Sequence, residues 1–365
     1  MSFENSIRQH LLSINPYEPV LPKSALTGNE TKSNHPLIKL NGNENPYGPS
    51  PKVVEALANF GEYHIYPDPN QTAIREKLSE YTGMPVASIV AGSGCDELID
   101  LLLRSMIDPD DEVIDCTPTF GMYSFSTHIC GGKIISVPRD EDFSVNVNSV
   151  VNAVTSRTKI IFIASPNNPT GNLLSQNDLI RLLDTGVIVV IDETYYEFSE
   201  HTHGDLIYTY SNLVILRSLS KWAGLASLRI GYGLMDSSIA KWLMTIKPPY
   251  NINAAAELAL LSSLDDTDYL KTNVRSIINE RGRMYSQIGA IEGLNPVPSF
   301  GNFILVKLTG LTGTFIYEKL AADNIFVRNL SDPRLQDHIR ISIGTREQNE
   351  HLVDSLTKII VDGSK

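Results

Sequence analysis

The sequence predicts an α/β protein, with a mostly parallel sheet in a large domain and a smaller α+β domain after it. Three observations carry this prediction. Apolar, β-rich runs alternate with helical stretches between Glu112 and Leu216. Several of these runs are apolar throughout, as in Val187 to Ile191, which is typical of strands covered on both faces. Beyond about Asn253 the alternation gives way to a long amphipathic helical region.

The predicted elements follow in chain order. Residues 1–40 are expected to form an N-terminal arm and a segment of the small domain, because Gly28 to His35 is polar and rich in turn residues. The large domain is expected at residues 41–253, with strands Glu112–Asp115, Lys133–Val137, Lys159–Ala164, Val187–Ile191 and Leu213–Leu216. The small domain is expected at residues 254–365, with a helical region Ala254–Ile288 and strands Asn302–Leu308 and His338–Ile343. Ligands of such parallel sheets bind beyond the carboxyl ends of the strands, so the loops there should hold the site.

Composition limits the class of protein. The 365 residues are 42% hydrophobic and 20% charged, which is typical of a globular protein. A net charge of −12 argues against binding to nucleic acid or to an anionic membrane. No stretch has the pattern of a signal peptide or a membrane span. Three cysteines without metal-type spacing indicate reduced thiols, and His201 and His203 are expected on a solvated loop rather than at a metal. We therefore expect a cytoplasmic enzyme without a metal.

The most informative motif follows the predicted strand Leu213 to Leu216. It contains Ser218, Ser220 and Lys221, with Arg229 eight residues after the lysine. A lysine at a strand end can condense with an aldehyde cofactor, while two hydroxyls and a guanidinium can bind the phosphate of that cofactor. Taken alone, the motif is equally compatible with a capping serine and a solvated lysine.

A second motif follows the strand Val187 to Ile191, where Asp192 and Tyr195 place a carboxylate and a phenol. A buried aspartate is costly unless it meets a cation, and a protonated pyridine nitrogen is such a cation. The alternative interpretation of Asp192 is a helix N-cap.

Two further strand ends carry polar turns. Asn168 lies in the turn after Lys159 to Ala164, where its amide can donate to a ring hydroxyl of a cofactor. Gly94, Cys95 and Asp96 precede a helical run from Leu98 to Met106, and backbone amides at a helix N-terminus can receive a phosphate. Each turn by itself is weak evidence.

Taken in order and spacing, these motifs resemble the class I and II aminotransferases of fold type I, which depend on pyridoxal 5′-phosphate. The resemblance implies the aspartate-aminotransferase-like fold. It makes Lys221 the Schiff-base lysine, Asp192 the partner of the pyridine nitrogen, and Tyr195 and Asn168 the partners of the 3-hydroxyl. The phosphate is then bound by Gly94, Cys95, Asp96, Ser218, Ser220 and Arg229. Phe120 matches the aromatic residue that stacks on the cofactor ring.

A narrower resemblance, to the histidinol-phosphate aminotransferases, rests on the segments Leu40–Ser50, Tyr66–Asp68, Lys247–Asn251 and Ile339–Arg346. It implies that Arg328 and Arg340 bind the substrate phosphate, which suits a dianion that needs forked cationic donors. It also implies substrate contacts from Tyr17, Asn43 and Asn168. Tyr17 and Tyr66 resemble residues that reach into the neighbouring subunit's site, so a homodimer with shared active sites is expected. The two arginines remain open to a role in surface ion pairs.

The implied reaction is transamination of L-histidinol phosphate with 2-oxoglutarate, giving imidazole acetol phosphate and glutamate, a step of histidine biosynthesis. Lys221, Asp192 and Tyr195 are the expected catalytic residues. The alternatives are a threonine-phosphate decarboxylase, an aromatic amino-acid aminotransferase, and a non-catalytic, cofactor-binding regulator that has the same fold. Acidity and the lack of an added basic domain argue against the regulator. Two positions depart from the family pattern: Phe120 replaces a common tyrosine, and Ser218 replaces a frequent threonine.

Overall fold

The computed structural model describes residues 3–26 and 36–363, so the turn-rich segment Gly28 to His35 lies outside the described residues. The helices are α1 (Lys23–Leu26), α2 (Pro51–Asn59), α3 (Thr72–Thr82), α4 (Cys95–Met106), α5 (Met122–Cys130), α6 (Val147–Ala153), α7 (Gln176–Leu183), α8 (Tyr196–Ser199), α9 (Ser237–Ile246), α10 (Ala254–Leu264), α11 (Thr267–Gly289), α12 (Gly313–Ala322) and α13 (Arg346–Gly363). The strands are β1 (Ile38–Leu40), β2 (Ile89–Gly92), β3 (Glu112–Thr117), β4 (Lys133–Pro138), β5 (Thr158–Ala164), β6 (Ile188–Asp192), β7 (Leu213–Ser218), β8 (Gly231–Met235), β9 (Leu294–Pro296), β10 (Phe303–Leu308), β11 (Ile325–Asn329) and β12 (His338–Ser342).

The larger sheet has seven strands in the order β2-β8-β7-β6-β5-β3-β4. The five predicted strands of this region are all confirmed, and they pair in parallel. Strand β8 runs antiparallel to both of its neighbours. Sequence reasoning missed β2 and β8, because β2 is only four residues long and β8 carries two glycines.

The register of the central strands determines where the site lies. Ala164 at the end of β5 is opposite Asp192 at the end of β6, and Asp192 is opposite Leu216 of β7. The central strands are buried because helices cover both faces of the sheet, which explains their continuous apolar runs. The loops after β5, β6 and β7 therefore begin side by side at one edge.

Two predicted helical stretches differ in their limits. Helix α4 begins at Cys95, three residues before the predicted Leu98. The region Ala254–Ile288 is two helices rather than one, because α10 ends at Leu264 and α11 begins at Thr267. Asp265 and Asp266 lie between them, and aspartate is a weak helix former that favours caps and turns.

The second sheet has five strands in the order β1-β11-β12-β10-β9. The predicted strands Asn302–Leu308 and His338–Ile343 are confirmed as β10 and β12. Strand β1 pairs in parallel with β11, so residues 38–40 join this sheet although the rest of it comes from residues 294–342. Strands β11 and β12 are antiparallel and place Arg328 directly opposite Arg340.

Helix α10 packs against α2 and α3, on the side of the larger sheet. Its N-cap is Asn253, whose side chain accepts a hydrogen bond from the backbone N–H of Ala256. The domain boundary at residues 253 and 254 thus falls at a helix start and stays a prediction. Within the described ranges, no helix has the length and apolarity that a membrane span needs.

Candidate active site

A cavity of about 1070 Å³ opens at the edge where β5, β6 and β7 end. It lies between the two sheets and is closed on one side by the N-terminal segment around Tyr17. The predicted site residues that line it are Tyr17, Asn43, Cys95, Asp96, Phe120, Asn168, Asp192, Tyr195, Ser218, Ser220, Lys221, Arg229, Arg328 and Arg340. Residues from distant parts of the chain thus meet in one place.

Lys221 follows β7 by three residues, and its Nζ donates a hydrogen bond to the backbone oxygen of Gly42, at 2.9 Å. Burial lowers the pKa of Lys221 to about 8, and the nearby Arg340 contributes in the same direction. Glu44 acts in the opposite direction. The amine is therefore partly neutral near neutral pH, as a nucleophile must be.

Asp192 is the last residue of β6, and its carboxylate is buried. One oxygen accepts a hydrogen bond from the Tyr123 hydroxyl at 2.8 Å, and the other accepts from the backbone N–H of Thr194 at 3.0 Å. Burial raises the pKa of Asp192 above its usual range. Among the ion pairs of the described residues, none gives Asp192 a cationic partner. A cation bound in the cavity would compensate for this burial.

Tyr195 and Asn168 flank the same space. The Tyr195 hydroxyl accepts a hydrogen bond from the Asn43 side-chain amide at 2.9 Å. The Asn168 side-chain oxygen accepts from Arg340 at 2.5 Å. Asn43 also exchanges hydrogen bonds with Ser342, through its backbone N–H at 2.8 Å and its side-chain oxygen at 2.9 Å. The polar groups of Asn43 therefore position Tyr195, and its direct contact with substrate stays a prediction.

The turn before α4 forms a cradle for an anion. Gly94 has a φ of +77°, and a Cβ atom there would lie 2.5 Å from an Nη atom of Arg229. That guanidinium also pairs with Asp96 at 2.9 Å and donates to the Ser220 hydroxyl at 3.4 Å. The Ser218 hydroxyl accepts from the backbone N–H of Ser220. A helix N-terminus, a guanidinium and two serine hydroxyls together suit a phosphate group.

Phe120 and Tyr17 form the aromatic wall of the cavity. Their rings meet edge to face with centroids 6.4 Å apart. Burial raises the pKa of the Tyr17 phenol, although Arg328 and Arg340 act in the opposite direction. Tyr17 thus lies in the cavity of its own chain and close to both arginines.

Arg328 and Arg340 present their guanidinium groups from neighbouring strands. Arg340 donates to the backbone oxygen of Asn41 at 2.7 Å, and its Nε has no hydrogen-bond partner although it is buried. Burial lowers the pKa of Arg340 to about 10, so it stays cationic at neutral pH. Arg328 donates to the backbone oxygen of Glu18 at 3.1 Å. Both side chains retain donors for an anionic ligand.

Two predicted site residues, Gly94 and Tyr66, do not line this cavity, although Gly94 directly precedes the lining residues Cys95 and Asp96. Tyr66 lies elsewhere on the surface. Its side chain is 76% exposed and stacks on Tyr250, with ring centroids 4.4 Å apart. In the single chain, Tyr66 therefore contributes nothing to its own site.

Sequence reasoning missed several residues that hold the site together, namely Tyr123, Thr194, Asn41, Gly42 and Ser342. Tyr123 follows Phe120 by three residues and lies in the first turn of α5, so a search of this turn for polar side chains would have found it. The others act through backbone atoms or across sheets, for which the sequence carries no signal.

A family model for aminotransferases of class I and II matches residues 35–356. The chain belongs to the class I and II aminotransferases. Among curated relatives, the histidinol-phosphate aminotransferase of Dehalococcoides mccartyi (strain CBDB1) is 46% identical over 325 residues, which cover 89% of this chain and 91% of the relative. That of Roseiflexus castenholzii is 43% identical over 367 residues and covers 98% and 99%.

A solved structure gives the same result for the fold. The histidinol-phosphate aminotransferase of Sinorhizobium meliloti, determined in complex with pyridoxal-5′-phosphate, superposes with a TM-score of 0.88 at 25% identity and covers 98% of each chain. The predicted aminotransferase family and its aspartate-aminotransferase-like α/β fold are thus confirmed.

Proposed function

We propose that this aminotransferase transfers the amino group of L-histidinol phosphate to 2-oxoglutarate, as a step of histidine biosynthesis. The observation that carries the proposal is the arginine pair of β11 and β12, which faces the cavity that contains Lys221. Relatives at 43–46% identity that are named histidinol-phosphate aminotransferases support the same substrate.

The cavity fits pyridoxal 5′-phosphate in three respects. The Gly94 turn with Arg229 and Ser220 suits its phosphate, the unpaired carboxylate of Asp192 suits a protonated ring nitrogen, and Lys221 offers an amine. Asn168 and Tyr195 would then be the partners of the ring hydroxyl, and Phe120 would stack on the ring. When bound, the cofactor supplies an aldehyde that takes up the amino group and a ring that withdraws electrons.

The chain's own residues account for the proton transfers. Lys221 Nζ, with a pKa of about 8, gains and loses a proton near neutral pH, and it acts as acid and base at the carbon that bears the substrate amine. With the cofactor bound, the Asp192 carboxylate would be the partner of the protonated ring nitrogen. Tyr195, positioned by Asn43, donates to the ring hydroxyl.

Substrate recognition depends on charge. Arg328 and Arg340 bind the phosphate with forked N–H donors, and Tyr17 adds a hydroxyl beside them. The same cations suit the carboxylates of the oxo acid in the second half-reaction. An amino acid without a phosphate satisfies fewer of these donors, which disfavours an aromatic aminotransferase.

The deciding experiment is the absorption spectrum of the purified holoenzyme while L-histidinol phosphate is added without an oxo acid. Conversion of the bound cofactor to pyridoxamine phosphate is expected. Release of carbon dioxide from O-phosphothreonine, with no such conversion, would assign the chain to the decarboxylases. If neither compound reacts but phenylalanine converts the bound cofactor to pyridoxamine phosphate, the chain would be assigned to the aromatic aminotransferases.

We further propose a homodimer in which Tyr66 reaches the cofactor phosphate of the neighbouring site. Its exposed position outside its own cavity supports this arrangement. The two-domain division at residues 41–253 and 254–365, with residues 1–40 as arm and small-domain segment, remains part of the proposal. So does a cytoplasmic location, which the three free cysteines support. Cell fractionation tests the location.

A further inference from the structure

Tyr123 lies behind the wall of the cavity and does not line it. It is in the first turn of α5, and its side chain is fully buried. Its ring stacks on Phe162 of β5, with centroids 4.8 Å apart and an interplanar angle of 3°. A second, edge-to-face contact with Phe120, with ring centroids 5.6 Å apart, fixes the Tyr123 ring from another side. Helix and sheet thus hold the phenol in one orientation.

The Tyr123 hydroxyl is directed at Asp192. It donates to one carboxylate oxygen at 2.8 Å, while the backbone N–H of Thr194 donates to the other at 3.0 Å. Each oxygen therefore accepts a hydrogen bond inside the protein, and the Thr194 side chain also contributes a hydrogen bond to this carboxylate. Donors at fixed positions on both oxygens determine the rotation of the carboxylate and the direction in which its remaining lone pairs point.

The energetic need for these donors follows from burial. An ionised carboxylate without partners is expensive inside a protein, and burial is the largest influence raising the pKa of Asp192. The hydrogen bonds from Thr194 and Tyr123 act in the opposite direction and favour the ionised form. Burial also raises the pKa of Tyr123 well above its ordinary value, so its hydroxyl keeps its proton and remains a donor.

We infer that Tyr123 is a positioning residue, which acts through Asp192 to hold a charged and oriented carboxylate against the cofactor ring. The inference rests on the cofactor assigned in the proposed function, and it adds a residue that does not touch the cofactor or the substrate. Its role is distinct from that of Phe120, which lies in the loop before α5 and lines the cavity.

The test is a double-mutant cycle on cofactor affinity. Pyridoxal 5′-phosphate is titrated into the apo forms of wild type, Tyr123→Phe, Asp192→Asn and the double variant. Loss of a hydrogen bond to a charged group should raise the dissociation constant of Tyr123→Phe about tenfold. In the Asp192→Asn background the same change should have less than about a twofold effect, because the carboxylate it serves is gone.

Tyr81→Phe is the matched control. Tyr81 also stacks on an aromatic ring, that of Trp222, and its hydroxyl is near Glu197 rather than Asp192. Its variant should bind the cofactor as wild type does. An unchanged dissociation constant in Tyr123→Phe, an equal loss in the Asp192→Asn background, or an equal loss in Tyr81→Phe would each overturn the inference.

A kinetic measurement separates positioning from general damage. At saturating cofactor, Tyr123→Phe should lower kcat about tenfold and leave the KM for the amine within about twofold, because the phosphate-binding arginines are untouched. A raised KM with unchanged kcat would contradict the inference. The affinity cycle needs no amine substrate, so it remains decisive even if L-histidinol phosphate proves not to be the substrate.

Discussion

Lys221 is the residue whose chemistry depends most on its surroundings. Its amine donates to the backbone oxygen of Gly42, and it lies near the cations Arg340, Arg229 and Lys39 and the anion Glu44. Glu44 is itself paired with Lys39 at 2.5 Å. Burial and these three cations favour the neutral amine, which is the form that reacts with an aldehyde.

This environment predicts the pH dependence of cofactor uptake. Because the pKa of Lys221 is lowered to about 8, the neutral fraction rises with pH up to that value and changes little above it. The rate at which the apoenzyme binds pyridoxal 5′-phosphate covalently should therefore rise about tenfold per pH unit below about 7.5 and level off by about pH 9. Stopped-flow absorbance measures it. A rate still rising steeply above pH 10 would contradict the lowered pKa.

Glu44→Gln supplies the control for this profile. The Glu44 carboxylate raises the pKa of Lys221, so its removal should move the midpoint of the profile to lower pH. A shift to higher pH would show that a different group controls the rate.

At the scale of single elements, the ends of β6 and β7 are joined by a buried ion pair. Arg217 of β7 pairs with Glu193 at 2.9 Å, and their side chains are 5% and 0% exposed. Glu193 also accepts hydrogen bonds from the Thr202 hydroxyl and the His203 backbone N–H. Since Glu193 follows Asp192 and Arg217 precedes Ser218, this pair fixes two parts of the cofactor site relative to each other.

Replacing Arg217 with methionine should therefore cost far more than replacing an exposed arginine. Arg217→Met leaves the Glu193 carboxylate buried without its cation, which should lower the free energy of unfolding by about 3–5 kcal/mol. Urea unfolding measures the loss. Arg104→Met, which breaks an exposed pair with Asp100, should lower it by less than about 1 kcal/mol. An equal loss of unfolding free energy in the two variants would show that burial of the ion pair does not determine its contribution to stability.

The strand pair β11–β12 makes a separate prediction about substrate. Arg328→Gln and Arg340→Gln should each raise the KM for L-histidinol phosphate about 10- to 100-fold, because each removes charged donors to the phosphate. With L-histidinol, which lacks the phosphate, wild type and variants should react equally slowly. Steady-state kinetics with both amines checks this.

Arg346→Gln is the control for charge alone, since Arg346 is exposed and pairs with Glu350. It should leave KM unchanged. If the arginine variants lost activity equally with both amines, their role would be structural and not recognition of phosphate.

At the scale of the whole molecule, the chain exposes apolar and aromatic side chains near Tyr66. Tyr63 is 70% exposed, Ile65 is 56% exposed and Tyr250 is 45% exposed. Such residues are costly in water when they are grouped, and they are typical of an interface. This surface supports the proposed dimer and its exchange of Tyr66.

Mixing two inactive variants tests the shared sites. If Tyr66 serves the neighbouring site, a dimer of a Lys221→Ala chain and a Tyr66→Ala chain contains one intact site. Random reassembly should then recover about a quarter of wild-type activity at limiting cofactor. A mixture of Lys221→Ala and Asp192→Ala, both altered in their own sites, should recover nothing. No recovery in the first mixture would show that Tyr66 does not act across an interface.

The sequence alone determined the parallel strands of the larger sheet and most residues of the candidate site. The continuous apolar runs predicted the parallel strands, because strands covered on both faces must be apolar throughout. The loops after those strands predicted Asn168, Asp192 and Lys221 as neighbours, because parallel strands end at one edge. Both inferences use local sequence patterns, namely apolar runs and the polar residues that follow them, so they need no knowledge of how remote segments pack.

The tertiary structure decided what local patterns cannot. It determined that β1 joins the second sheet and that Arg328 and Arg340 are directly opposite each other on neighbouring strands. It also placed the Tyr123 hydroxyl on Asp192, 69 residues further along the chain, and lowered the pKa of Lys221. Hydrogen bonds and pKa shifts of this kind depend on distance and on exclusion of water, and both arise only when remote segments pack together.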